Sequence, residues 1–226
     1  MSTPEPDGPT ELTQQPTAVR LLVATGNPGK LAELRALVAG AGLDVEVLGL
    51  ADLTEPHAEP VEDGASFADN ALLKARAGVA ASGLATLADD SGICVDALAG
   101  MPGIFSARWS GTHGDDAANR RLLLDQLRDV PDGRRGAQFV AVLALVTPDG
   151  VERLAEGRWD GMLARAEKGA NGFGYDPVFL PSGPEGAGPG GTRLSSAELA
   201  PAVKDAVSHR GRAFAAASSM LRDLSD

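Results

Sequence analysis

The sequence predicts an α/β or α+β fold built on a mixed sheet with one continuous core, and three observations lead there. Short apolar runs bounded by Gly, Pro and Asp alternate along the chain with segments of helical periodicity. A nearly all-apolar strand at 19–24 passes through a tight turn straight into a helix. Two long strand patterns, 137–147 and 151–163, flank Pro148-Asp149-Gly150, a turn signal that folds one back on the other.

The elements follow in order. After the first strand, Asn27 suits a helix N-cap and Pro28 the first turn. Leu31, Leu34, Leu37 and Val38 then share one helical face, and Gly40 and Gly42 are stop signals. Residues 45–50 form a second strand. Ser66 to Ser82 reads as a helix opened by a capping-box variant, Ser66-Phe67-Ala68-Asp69, with Asp in place of Glu. Residues 84–88 read as a short strand that ends abruptly at Asp89-Asp90-Ser91-Gly92, and 93–95 resume the strand pattern. Residues 116–127 are helical, 182–192 form a Gly/Pro-crowded exposed loop, and 208–224 form a last helix over the sheet. Residues 1–17, rich in Pro, Thr, Glu and Gln, read as a disordered tail before a single domain at 18–226.

Composition narrows the function classes. At 226 residues and 43% apolar content the chain has ample core. A formal charge of -11 disfavours broad binding to nucleic acid or an anionic membrane. No apolar run approaches the ~18 residues of a membrane span, and the N-terminus lacks the basic start and apolar stretch of a signal peptide. The single cysteine, Cys94, excludes an internal disulfide and a thiolate-rich zinc site, and fits a reducing cytoplasm. Of only four lysines, Lys30, Lys74 and Lys204 fall in the motifs below and Lys168 does not.

Five constellations carry chemistry. Thr25-Gly26-Asn27-Pro28-Gly29-Lys30 places a helix N-terminus and a lysine where an anion can bind, though its spacing is not that of a P-loop and it also suits an ordinary strand-to-helix turn. Asn70 and Lys74 lie on one helix face, with Glu62 just ahead of that helix. Asp89-Asp90-Ser91-Gly92 sets carboxylates at the sheet edge, suited to Mg2+ or to a simple Asx-type turn. Strand alternation points the two acids in opposite directions, so one of them is expected to face a cleft. Gly172-Phe173-Gly174-Tyr175-Asp176-Pro177 offers rings for a base and a carboxylate for its edge. Lys204 and Ser208-His209-Arg210-Gly211 put basic residues in a first helical turn, where they conflict with the dipole unless an anion binds. His57 and His113 have no motif and are expected on surface loops.

Together these segments resemble the inosine triphosphate pyrophosphatase family, the non-canonical purine triphosphate pyrophosphatases. The matching pieces are ATGNPGK at 24–30, Glu62 with GASFADNALLKA at 64–75, ADDSGICVDAL at 88–98, PGIFSARWSG at 102–111, GFGYDPVF at 172–179 and AVSHRGRAF at 206–214. The loop at 183–191 is longer than the family's usual connection, and the tail is extra. The resemblance implies a cytoplasmic homodimer with an elongated mixed sheet and a nucleotide cleft between two lobes. It implies Mg2+-dependent hydrolysis of ITP, dITP and XTP to monophosphate and pyrophosphate. It also implies roles. Residues Thr25, Gly26, Asn27, Pro28, Gly29 and Lys30 hold the triphosphate with Ser91. Asp90 is the base and, with Glu62, a metal ligand, and Lys74 lies by the phosphates. Phe173, Gly174, Tyr175 and Asp176 hold the base, and Lys204, His209 and Arg210 complete the contacts. Two alternatives are a Maf-like pyrophosphatase for modified pyrimidine triphosphates and a non-catalytic nucleotide sensor. The presence of both Glu62 and Asp90 argues against the sensor.

Overall fold

A computed structural model describes residues 19–54 and 60–224. The expected tail at 1–17 and His57 lie outside the described residues. Eleven regular elements follow one another: β1 (Val19–Val23), α1 (Pro28–Gly40), β2 (Val45–Gly49), α2 (Phe67–Ser82), β3 (Ala85–Val95), α3 (Asp116–Gln126), β4 (Gly136–Val146), β5 (Glu152–Leu163), β6 (Phe179–Pro181), α4 (Pro201–Val207) and α5 (His209–Arg222). The strands form one mixed sheet in the order β2-β1-β3-β4-β5-β6. The first three are parallel and the rest antiparallel. Among the described residues no helix is long and apolar enough to cross a membrane.

Local chemistry explains the helix starts. Asn27 Oδ1 accepts from the N–H groups of Gly29 and Lys30, Ser66 Oγ from Asp69, and Ser208 Oγ from Gly211. The short β6 and α4 were not expected. Three residues are too few for a period, and α4 is opened by Pro201 without a side-chain cap. The loop at 182–192 is mostly exposed, as expected, but holds two short 3-10 turns and is tied to β5 by Trp159 Nε1 donating to Glu185 at 2.9 Å.

Two expectations need correction. The strand does not stop at Asp89: β3 runs unbroken, and Asp89 to Gly92 pair with Leu143 to Val140 of β4 in register. Ion pairs across the fold offset the cost of those acids, which local sequence cannot reveal. Nor is there one continuous core. Buried apolar residues form three clusters. One packs β1, β3 and β4 against α1 and α5. Another holds Ile93, Phe139, Trp159 and Phe179 with Leu123 and Leu127 at the α3 end. The third lies beneath α2. At roughly 3.3 Å per residue, the 11 residues of β3 make it long enough to serve both ends. A polar belt centred on Asp89 to Ser91 separates the first two clusters.

Candidate active site

The cleft exists because β1 is short. It pairs with β3 only through Leu87, so Asp89 to Ser91 have β4 on one side and no strand along the other edge, before Ile93 to Val95 meet the 101–106 segment. Side chains from both faces reach around that edge. Asp89 points to the α1/α5 side and Asp90 to the α2 side, and both take part in the charge network.

Asp90 is held by α2. Asn70 Nδ2 donates to Oδ2 at 3.2 Å and Lys74 Nζ to Oδ1 at 3.2 Å. The same Lys74 nitrogen donates to Glu62 Oε1 at 2.8 Å, and Arg108 pairs with Glu62 Oε2 at 3.3 Å. Burial raises the Asp90 carboxyl above the usual range, outweighing the pull of Lys74. Burial also pushes Glu62 up, but the charge and hydrogen bond of Lys74 bring it below its usual value. Lys74 is penalised by burial and more than compensated by Asp90 and Glu62, so it titrates high.

Asp89 is the buried counterion of the other face. Lys30 Nζ lies 2.7 Å from Oδ2 and Arg210 Nε 3.5 Å from the same oxygen. Burial works against its charge, yet Lys30 and Arg210 hold it well below the usual carboxylate range. Lys30 itself is lowered, by burial first, with Asp89 opposing. Arg210 continues to Glu33 at 2.9 Å and to Ser91 Oγ at 3.0 Å, and its guanidinium lies 4.8 Å from the centre of the Phe173 ring. Lys204 pairs with Asp176 at 2.7 Å and with Glu33 at 3.5 Å. Asp176 also accepts from Phe173 N at 2.9 Å and Ser196 Oγ at 2.8 Å, so this carboxylate is largely occupied in holding its own loop.

Two adjoining cavities result. One is lined by Thr25, Gly26, Asn27, Pro28, Lys30, Glu62, Lys74, Asp90 and Ser91, with His113 exposed at its rim. The other is lined by Ser91, Phe139, Phe173, Gly174, Tyr175, Asp176, His209 and Arg210. Asn27, Lys30, Ser91 and Ala107 border both. Gly92 permits the second wall, since a Cβ there would stand 2.4 Å from both Gly103 O and Ser106 Oγ. Of the expected site residues, Gly29 lines neither cavity but abuts Phe173, and Lys204 reaches them through Asp176 and by lying over the Phe173 ring. Tyr175 contributes a buried ring whose hydroxyl donates to Ser106 O at 2.9 Å. The N–H groups of Gly29 and Lys30, read as an anion cradle, are already capped by Asn27.

Sequence reasoning counted Asp89 only as half of an acid pair suited to Mg2+ or a turn, and assigned no role to Glu33, Asn119, Arg108, Asp116 or Phe139. Glu33 follows Lys30 by one helical turn, a signal that was present. Phe139 had none, because its part depends on His209 stacking on it, with centroids 4.7 Å apart and planes 10° apart.

His209 is buried, its Nδ1 has no hydrogen-bond partner, and burial, then Arg210, lowers its pKa well below the ordinary value. A depressed imidazole stays neutral in the fold while the unfolded chain takes up a proton below pH ~6.5. Stability should therefore fall as pH drops from 7.5 to 5.5. His209→Phe, which keeps the stack on Phe139, should flatten that slope in denaturant unfolding at several pH values. Parallel slopes for both proteins would show that the imidazole is not held neutral.

Fold and site together define an α/β protein with an internally paired, two-chambered cleft at a sheet edge. The chain belongs to the Ham1 family, whose sequence profile matches residues 21–220. It is 58% identical to the dITP/XTP pyrophosphatase of Mycobacteroides abscessus over 207 residues, 91% of this chain and 96% of that one. It is 57% identical to the Corynebacterium diphtheriae protein of the same name over 197 residues, covering 87% and 93%. A HAM1 protein structure from Coxiella burnetii superposes with a TM-score of 0.77 at 35% identity, covering 91% of this chain and 99% of that one.

Proposed function

We propose that the chain hydrolyses deaminated purine nucleoside triphosphates such as ITP, dITP and XTP to the monophosphate and pyrophosphate, clearing them from the nucleotide pool. The observation that carries this is the division of one cleft into a carboxylate–lysine chamber and an aromatic–imidazole chamber, joined by Lys30 and Ser91. A triphosphate suits the first and a flat base the second. The names of relatives that share more than half their residues with this chain agree.

In this reading Thr25 to Lys30 and Ser91 take the phosphates, and Lys30 and Lys74 offset the charge of the leaving pyrophosphate. Asp90 orients or deprotonates the attacking water; as a metal ligand it would keep its charge and orient the water more than take its proton. Phe173 to Asp176, Lys204, His209 and Arg210 hold the base. Arginine donors fit a 6-oxo group and find no acceptor on a 6-amino group, which disfavours adenine.

We further propose Mg2+, with Glu62 and Asp90 as its protein ligands. No group of three or more His, Cys, Asp or Glu converges among the described residues. Mg2+ is commonly held by one or two carboxylates plus phosphate oxygens and water, and Glu62 and Asp90 both lie within hydrogen-bonding reach of one Lys74 nitrogen, so the donor set fits. When bound, the ion supplies charge neutralisation and polarisation at the attacked phosphate. A single domain over 18–226, acting as a cytoplasmic homodimer, completes the proposal.

Incubation of ITP with the protein and Mg2+, followed by phosphorus NMR, should yield IMP and pyrophosphate. IDP and orthophosphate would overturn the reading. Preference for a modified pyrimidine triphosphate would favour the Maf-like alternative, and tight binding without product a sensor.

A further inference from the structure

We propose that Asp116 and Arg120 are positioning residues for base selectivity, gripping the peptide groups on both sides of Gly174 and so setting where the Phe173–Tyr175 loop meets the base. The inference rests on the functional reading above for the nature of the ligand. The two side chains sit four apart on α3 and therefore share one helix face. Asp116 Oδ2 accepts from Gly174 N at 2.7 Å, and Arg120 donates through its NH1 nitrogen to Gly174 O at 2.8 Å. Donor and acceptor of one residue are thus both fastened to one helix.

That residue needs holding. Gly174 has φ +59 and Gly172 φ +76, left-handed backbone that glycine adopts without steric cost but does not by itself fix. Asp176 closes the turn from within, accepting from Phe173 N, and is tied outward to Lys204 and Ser196, while Tyr175 is tied to Ser106 O. Gly174, between them, is held by α3, which is itself anchored. Buried Asn119 Oδ1 accepts from Ser110 N at 2.7 Å, and Leu123 is fully buried in the adjoining core. Arg120 is steadied from its other side by Glu167 at 3.0 Å. Asp116 lines the same cavity as Phe173 and Gly174, so slack in the clamp is felt where a base sits.

A positioning role predicts a split. Asp116→Ala and Arg120→Ala should each raise the Kd and KM for ITP by about 10-fold, as displacement of a contact surface by a fraction of an ångström does, and should reduce the ITP/ATP preference. The inhibition constant of inorganic tripolyphosphate, which has no base, should stay within about 2-fold, whereas general weakening of the fold would shift both ligands. Asp116→Asn keeps an acceptor for Gly174 N and should restore most of the loss. Because both side chains hold one residue, the double variant should lose less than the product of the single losses. Parallel weakening of ITP and tripolyphosphate, or an Asn variant as impaired as the Ala variant, would overturn the proposal. If the parent protein shows no 6-oxo preference, the functional reading fails instead. The clamp is then judged by calorimetric Kd values of a nucleoside triphosphate against tripolyphosphate in the same variants. Thermal melts accompany each variant, and Arg120→Lys serves where Arg120→Ala does not fold.

Discussion

Asp90→Asn is expected to lower kcat for ITP by at least ~100-fold, the scale of a positioned acid–base group. The substitution removes charge and basicity at nearly constant size. It also creates a mismatch, because Lys74 and Asn70 both donate to this carboxylate and an amide can accept on one side only. Relief of the buried Asp90 charge opposes that mismatch, so metal-free melting temperatures are measured beside the kinetics to separate lost activity from lost folding. Asp89→Asn provides the contrast. The neighbouring acid faces the other side of the strand, where it holds Lys30 and Arg210. Its loss should raise KM more than it lowers kcat, because two cations proposed to bind substrate lose their counterion. Steady-state kinetics on both variants decide it, and equal, mild effects would reject the assignment of Asp90.

Arg210→Ala should lower kcat/KM for ITP by roughly 10- to 1000-fold, from loss of a charged hydrogen bond and some positioning. The ITP/ATP preference should shrink as well. Arg210 bonds Ser91 and Glu33 while its plane lies over Phe173, so one side chain joins the proposed base chamber to the proposed phosphate chamber. Lys30→Ala should weaken ITP and ATP alike, because in the proposed reading Lys30 takes phosphate and no base edge. Measuring kcat/KM for both substrates in both variants tests the division of labour. An unchanged ITP/ATP ratio in Arg210→Ala would make Arg210 a phosphate or structural residue and move base recognition elsewhere.

What could be read from sequence was what local chemistry determines. Asn27, Ser66 and Ser208 are N-caps because short polar side chains satisfy nearby N–H groups, and each marked its helix correctly. Asn70 and Lys74 were placed on one face by helical spacing, and they do meet Asp90 together. The unbroken course of β3 was not legible. Two consecutive acids resemble a turn until Lys30 and Arg210 are brought beside one of them and Lys74 beside the other. At the α1 N-terminus the residue identified as the cap takes the N–H groups of Gly29 and Lys30, a competition for those groups that the sequence motif alone did not show. Asp116 and Phe139 stayed silent because their partners, Gly174 and His209, are distant in sequence and meet them only through tertiary packing.

The ion pairs of the cleft match one to one. Lys30 has Asp89, Lys74 has Asp90, Arg108 has Glu62, Lys204 has Asp176 and Arg210 has Glu33, each within 3.5 Å. A naked polyphosphate arriving here meets no surplus of positive charge, only cations whose present partners it would have to outbid. On the proposed function, that balance favours a nucleotide that arrives with its own divalent counter-charge over the bare anion. The same balance lets a strongly acidic protein keep five basic groups close together without strain while it waits.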